Sequence, residues 1–200
     1  MHMNSMNESL ASRRYGDRCL LNKWNREDHA GGWDWLGGLD ELAHYVAMLG
    51  GYVGPHAPTG SALLDVGSGE GLLLPHVFDH TPRHDRIDSP AAVELALGRR
   101  RSTVDFRVVD MNDFVPDELF STIVFCESIY YLNPLGTKLR RYLDALTPEG
   151  VLLVSVNSGR QHDNLWRELG RLCETLDSVH VTNSRGAAWN VRAMQPRPAR

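Results

Sequence analysis

A chain of 200 residues, 42% of them hydrophobic, can bury one full core, and no run in it approaches the ~20 apolar residues of a membrane span. A formal net charge of −4 and a pI near 6.1 make no general electrostatic case for nucleic acid or an anionic membrane as partner. Cys19, Cys126 and Cys173 are too few and too scattered for a disulfide framework or a zinc site, and with no leader-like opening the expected location is cytoplasmic.

The chain reads as one domain, 1–200. Residues 1–12 are polar and aperiodic and are expected to be disordered. Residues 13–60 read as a lid or helical segment: Tyr15, Trp24, Trp33 and Trp35 stand among charges and glycines, too aromatic for a linker. Leu39, Leu42, Val46 and Leu49 recur at helical spacing and predict a core-facing helix, which Gly50 and Gly51 stop. Gly54 to Gly60, with two prolines, is a loop into the core, 61–195.

Leu63 to Gly71 reads LLDVGSGEG: a buried strand, an acid, then glycines at Gly67, Gly69 and Gly71 turning sharply into a helix near Glu70. One glycine permits the turn, one lets a ligand lie on bare backbone, and one lets the helix pack close. A second strand, Thr81 to Arg86, runs out at Asp88, where Ser89 and Pro90 fit a helix cap and first position. A third strand, Val104 to Val109, ends on Asp110 and Met111. With Asp65, Asp88 and Asp110 at successive strand ends, and no arginine beside Asp88 suited to a 2′-phosphate, the ligand should carry a ribose and a purine amine.

The fourth strand is Leu119 to Cys126; beyond it Glu127, Ser128, Tyr130 and Tyr131 emerge where open parallel sheets hold ligands. Glu127 can orient a cationic amine, take its proton, or simply cap a helix. A half-buried helix over Gly136 to Leu146, a turn at Thr147 to Gly150 and the strand VLLVSV follow, with Asn157 and Ser158 at its exit. His162 is either a base or a structural histidine, and His76 and His80 offer two metal ligands at most, so no metal is expected. Leu165, Leu169, Leu172 and Leu176 predict a last amphipathic helix; Ser178 to Asn183 and Ala188 to Met194 predict a hairpin, before a tail from Gln195.

Through VGSGEG, IDSP, VVDMNDF, FSTIVFCESIYYL and LTPEGVLLVSV, in order over Ala62 to Val156, the chain resembles class I S-adenosylmethionine-dependent methyltransferases. Val66 to Gly71 gives the GxGxG spacing of that group, where a dehydrogenase usually shows GxGxxG. Phe120 is followed by Ser121 where the family commonly keeps an acid, a departure that touches strand entry more than the pocket. The segment WDWLGGLDELAHYVAML and the second half of the chain are similar to the nodulation-factor N-methyltransferase group.

The resemblance implies an α/β, Rossmann-like fold: a mostly parallel seven-stranded sheet, an antiparallel C-terminal hairpin and flanking helices. It implies S-adenosyl-L-methionine as cofactor and S-adenosyl-L-homocysteine as product. Asp65 and the Gly67, Ser68, Gly69 and Gly71 loop would take the methionyl part, with Tyr15 near it. Asp88, beside Ser89, would take the ribose hydroxyls, Asp110 the adenine amine, and Met111 would lie against the ring. Glu127 and Tyr130 would face a small-molecule amine or hydroxyl, with His162 as reserve base. Base-methylating enzymes place an Asn/Asp-Pro-Pro-aromatic turn after strand four, whereas this chain has CESIYY, so nucleic acid is a poor acceptor. No membrane partner is expected, and a homodimer is compatible with the chain. Two other readings stay open: a nicotinamide-dependent oxidoreductase on the same sheet, and a non-catalytic cofactor-binding subunit. A cofactor-consuming cyclisation with no methyl acceptor is a third outcome.

Overall fold

The computed structural model of the chain describes residues 38–50, 62–69, 71–73, 83–88, 92–93 and 104–198. Successive side chains of a strand face opposite ways, and in β1 (Ala62–Val66) Leu64 and Val66 enter one apolar cluster while Leu63 enters another. β4 (Phe120–Cys126) and β5 (Leu146–Asn157) split likewise, Ile123, Phe125, Leu152 and Val154 to the first cluster, Val124, Val151 and Leu153 to the second. Covered on both faces, these strands are the near-continuous apolar runs of a central parallel sheet.

The sheet has seven strands in the order β3 (Val104–Val108), β2 (Arg83–Asp88), β1, β4, β5, β7 (Ala188–Pro196), β6 (Cys173–Thr182). Pairing is parallel from β3 to β5, and β7 runs antiparallel to both β5 and β6. This is the expected α/β, Rossmann-like sheet with its C-terminal hairpin. The first cluster takes Leu139, Tyr142 and Leu143 from α2 (Leu135–Leu143) and Leu169 from α3 (Asp163–Leu172). The second takes Tyr45 and Met48 from α1 (Leu39–Gly50). Strand order turns outward in both directions from β1 and β4, so a crevice opens beyond their carboxyl ends.

Three sequence expectations are corrected. In α1 the residues turned inward are Glu41, His44, Tyr45 and Met48, whereas Leu42 and Val46 are 39% and 49% exposed. The phase is set by a polar partner on β5 and an aromatic one on β7, described below, which a count of apolar positions cannot see. The side chains of Leu39 and Leu49 lie outside the described residues. α3 stops at Leu172 and β6 begins at Cys173, so Leu176 belongs to an edge strand; α2 stops at Leu143, so Leu146 opens β5. The turn Thr147–Gly150 is an excursion inside β5: Phe120 pairs with Leu146 but Thr122 with Val151. The expected disorder and lid over residues 1–37 and 51–60 lie outside the described residues, as do most of the two crossover segments.

β2 reads RHDRID and yet lies between two parallel partners, with Asp85, Arg86 and Ile87 all buried. Register explains it. Arg86 stands opposite Asp65 on β1 and Phe106 on β3; its guanidinium is 3.6 Å from the Asp65 carboxylate and 5.5 Å from the Phe106 ring centroid. On the other face Asp85 lies 3.5 Å from Arg107, which also meets Asp105, Asp117 and Glu118. Asp85 and Arg86 are each one partner of a cross-strand charge pair.

Candidate functional site

The loop after β1 is held by its own backbone. Gly67 N–H donates to the Ile87 carbonyl at 3.0 Å, Ser68 N–H to the same oxygen at 3.4 Å, and Gly71 N–H to the Ser68 carbonyl at 3.0 Å. Gly69 N–H donates to Asp88 Oδ2 at 2.7 Å, which pins the acid ending β2 against the glycine turn. Gly67, Gly69 and Gly71 all have positive φ. Gly67 serves close approach, because a Cβ there would sit 2.6 Å from Ser128 Cβ and 3.0 Å from Met111 Cε. Gly69 has no atom within 4 Å of that position, so that side of it is open.

This redistributes the expected cofactor residues. Asp65 does not reach the crevice: it is fully enclosed and faces Arg86, and neither carboxylate oxygen is hydrogen-bonded. Burial pushes Asp65 up, with Arg86 opposing, and pushes Arg86 down. Asp110 is half-buried, its Oδ1 accepting from the Asn112 N–H at 2.7 Å and the Asn112 amide at 3.1 Å. Met111 is buried in the first cluster, with its terminal methyl beside Gly67, so it forms floor more than open wall. Its carbonyl accepts from Tyr142 Oη at 2.6 Å and Arg141 at 2.9 Å. Ser68 Oγ is enclosed with no hydrogen-bond partner. Tyr15 and Ser89 lie outside the described residues.

Across the crevice, Glu127 follows β4 in the left-handed region, φ 53°. That twist breaks the strand's alternation and brings its carboxylate to Ser155 and Asn157 at the end of β5: Ser155 Oγ donates to Oε1 at 3.4 Å and Asn157 Nδ2 to Oε2 at 3.2 Å. Burial pushes the Glu127 carboxyl up to about 8 against the pull of the Asn157 bonds. Tyr130 and His162 come together, rings stacked at 5.4 Å, with His162 Nε2 enclosed and without a hydrogen-bond partner. Burial holds the imidazole below its ordinary value, Asp163 opposing, and drives the Tyr130 phenol well above its own. Ser128 fastens this wall to the first, its hydroxyl donating to the Val66 carbonyl at 2.6 Å. Asn112 ties the β3 loop to the β4 loop through the Tyr131 carbonyl and the Asn133 N–H.

Sequence reasoning missed Glu41, His44 and Ser155, which sit behind Glu127 on the α1 face. A signal existed: polar residues at i and i+3 of an otherwise apolar helix, and a serine inside VLLVSV. Among the described residues no group of three or more His, Cys, Asp or Glu could hold a metal ion, and no helix is long and apolar enough to cross a membrane.

The family described as "Methyltransferase domain" matches residues 39–193 of the chain. Malonyl-acyl-carrier-protein O-methyltransferase of Acetivibrio thermocellus is 29% identical over 97 residues, 46% of this chain; the match spans 34% of that relative's length. Among solved structures, N-methyltransferase NodS from Bradyrhizobium japonicum WM9, in complex with S-adenosyl-L-homocysteine, is similar at TM-score 0.70 and 21% identity, covering 84% of this chain and 92% of that one. The 1,6-didemethyltoxoflavin-N1-methyltransferase of Burkholderia thailandensis, with 1,6-didemethyltoxoflavin and S-adenosylhomocysteine bound, is similar at TM-score 0.70 and 17% identity, covering 88% and 87%. At these identities the likeness is one of fold.

Proposed function

The chain belongs to the methyltransferase domain family and has the class I S-adenosylmethionine-dependent fold, and from that premise we propose that it methylates a small molecule, an amine ahead of a hydroxyl. The observation that carries the reading is the state of the glycine loop. Its described amides at Gly67, Ser68, Gly69 and Gly71 are all spent within the protein, one of them on Asp88. An anionic diphosphate would meet carboxylates where it needs free N–H groups, which disfavours the nicotinamide reading. A sulfonium is a cation, and acids closing neighbouring strands suit it.

S-adenosylmethionine bound here would supply an electrophilic methyl carbon with a neutral thioether as leaving group. The chain supplies positions. Asp88, fixed by Gly69, takes the ribose hydroxyls, and Asp110, fixed by Asn112, takes the adenine amine. The open side of Gly69 receives the methionyl end. Glu127 orients the acceptor and takes its proton, while the stacked Tyr130 and His162 close the wall against water. The amine comes first because a carboxyl near 8 lies much closer to an ammonium group, about 8 to 10.4, than to an alkyl hydroxyl. The N-methyltransferases of matching fold, NodS among them, support the same reading.

Calorimetry should show S-adenosylhomocysteine binding and no NAD binding. Asp88→Ala should weaken that affinity by about 1 to 3 kcal/mol through lost charge-assisted hydrogen bonds; unchanged affinity removes Asp88 from the site.

Glu127→Gln should lower kcat about 100-fold while S-adenosylhomocysteine affinity holds. In the wild type kcat should rise with pH and level above about 8, as the carboxylate forms; in the variant that rise should vanish. Equal loss of turnover and binding would make Glu127 structural. Stability follows the same group. Its folded value lies above the ordinary 4.5, so its contribution is whole below that pH and is lost as pH rises through about 8. Glu127→Gln should therefore flatten the decline of Tm across that window.

A further inference from the structure

Behind Glu127 a chain of buried polar groups runs inward on the α1 face, and the positioning of cofactor and acceptor uses none of it. His44 Nε2 lies 2.5 Å from Ser155 Oγ, which is 3.4 Å from Glu127 Oε1. His44 Nδ1 stands 3.4 Å from Glu41 Oε2, outside hydrogen-bond geometry. His44 and Ser155 are fully buried and Glu41 is 4% exposed. The imidazole is clamped flat on Trp189, at 5.0 Å and 4° between planes, with Tyr45 tilted against its edge. Burying three such side chains is costly unless they serve one another, and it is what turns the apolar Leu42 and Val46 outward. The connectivity Glu41, His44, Ser155 is that of a nucleophile triad, but Ser155 sits enclosed within a strand beneath α1, with no side open to a substrate.

We infer that His44 and Ser155 form a proton relay that sets the charge of Glu127, carrying inward the proton that Glu127 takes from the acceptor. The inference rests on the methyl-transfer reading of the crevice. Two hydrogen-bond states fit the geometry. In one, neutral Glu127 donates to Ser155 Oγ and the Ser155 hydroxyl donates to His44 Nε2. In the other, His44 Nε2–H donates to Ser155 Oγ and the hydroxyl donates to the Glu127 carboxylate. Passing between them moves one proton from Glu127 to Ser155 and one from Ser155 to His44. Serine ends neutral, Glu127 ends anionic, and the imidazolium ends beside the Glu41 carboxylate; once product leaves, the proton returns through Ser155 to Glu127 and passes to water in the crevice, which resets the relay. The acceptor N–H is the bond that breaks, and no electron changes owner. The groups facing His44 are Glu41 and Tyr45 from α1, Cys126 (Sγ 3.6 Å from Nε2) and Glu127 from the end of β4, Ser155 from β5 and Trp189 from β7; Asp65 of β1 acts electrostatically on Tyr45 and Cys126. His44 and Ser155 are thus positioning residues that act through Glu127.

The test is a titration by NMR of the whole protein without cofactor, following the Glu127 carboxyl carbon and the His44 ring nitrogens. His44→Gln or Ser155→Ala should move the Glu127 midpoint by on the order of one pH unit. Ser155→Thr, which keeps the hydroxyl, should restore it, so the Ser155 pair decides the matter even where His44→Gln does not fold. In turnover, Ser155→Ala should lower kcat at neutral pH about tenfold with KM unchanged, and Ser155→Thr should recover it. A Glu127 titration indifferent to both residues overturns the relay, as does coupling without any effect on kcat. Wild-type protein that binds no S-adenosylhomocysteine would instead overturn the methyl-transfer reading, a result that calorimetry gives separately from the titration.

Discussion

Gly67→Ala is expected to lose a large share of the protein's stability, while Gly69→Ala, two residues away in the same loop, keeps its fold and loses its ligand. Both glycines have positive φ, +74° and +53°, so either alanine costs about 1 to 3 kcal/mol in backbone strain. Their surroundings separate them. The methyl at Gly67 would meet Ser128 Cβ at 2.6 Å and Met111 Cε at 3.0 Å. Met111 Cε is the end of a flexible side chain and can swing aside, but Ser128 Cβ cannot, because the Ser128 hydroxyl is tied to the Val66 carbonyl. Overpacking of this kind adds about 1 to 3 kcal/mol, out of a total that rarely exceeds about 15. At about 2 to 4 °C per kcal/mol for a chain this size, thermal denaturation resolves the difference. The methyl at Gly69 meets no protein atom and, on the proposed reading, takes space that the ligand crosses, so S-adenosylhomocysteine affinity should fall at least about tenfold, one lost hydrogen bond's worth. Gly69→Ala binding as tightly as wild type would mean that the ligand does not cross that glycine.

What could be read from the sequence divides along a physical line. β1, β4 and β5 were legible because burial on both faces forces an unbroken apolar run, and the loop after β1 because a tight turn and a close approach leave glycine as the fitting residue. Asp88, Asp110 and Glu127 were legible as acids at strand exits. β2 was harder because its buried charges, Asp85 and Arg86, face partners one strand away, Arg107 and Asp65, and no local pattern records a cross-strand pair. The phase of α1 was misjudged for a related reason. Its buried histidine is satisfied by a serine 111 residues downstream, so the face that looked polar was the one turned inward. Glu127 shows both halves at once: its place after β4 was evident, but the left-handed turn that aims its carboxylate at Ser155 and Asn157 has no signature in CESIYY. The failure at Leu176 is the edge-strand problem, since β6 is exposed along almost its whole length and carries no alternation to distinguish it from the end of a helix.

Arg86→Met should cost about 3 to 5 kcal/mol, because it leaves the Asp65 carboxylate alone in the core. That carboxylate already lacks any hydrogen bond, and burial pushes it toward neutrality even with the guanidinium 3.6 Å away. The pair is therefore expected to be worth little as a pair. Asp65→Leu combined with Arg86→Met, which removes both charges and keeps the volume, should recover most of the loss or exceed wild type, and a double-mutant cycle of Tm or denaturant midpoints reads this directly. The double variant also decides what Asp65 is for. An acid that serves only Arg86 can be removed with it, and S-adenosylhomocysteine should then bind the stable double variant with wild-type affinity. An acid that reaches the methionyl end of the ligand cannot, and the same variant would fold as well as wild type and bind at least about tenfold more weakly, the loss of one charged hydrogen bond. The enclosed position of Asp65 favours the first outcome, with the methionyl end left to the open side of Gly69.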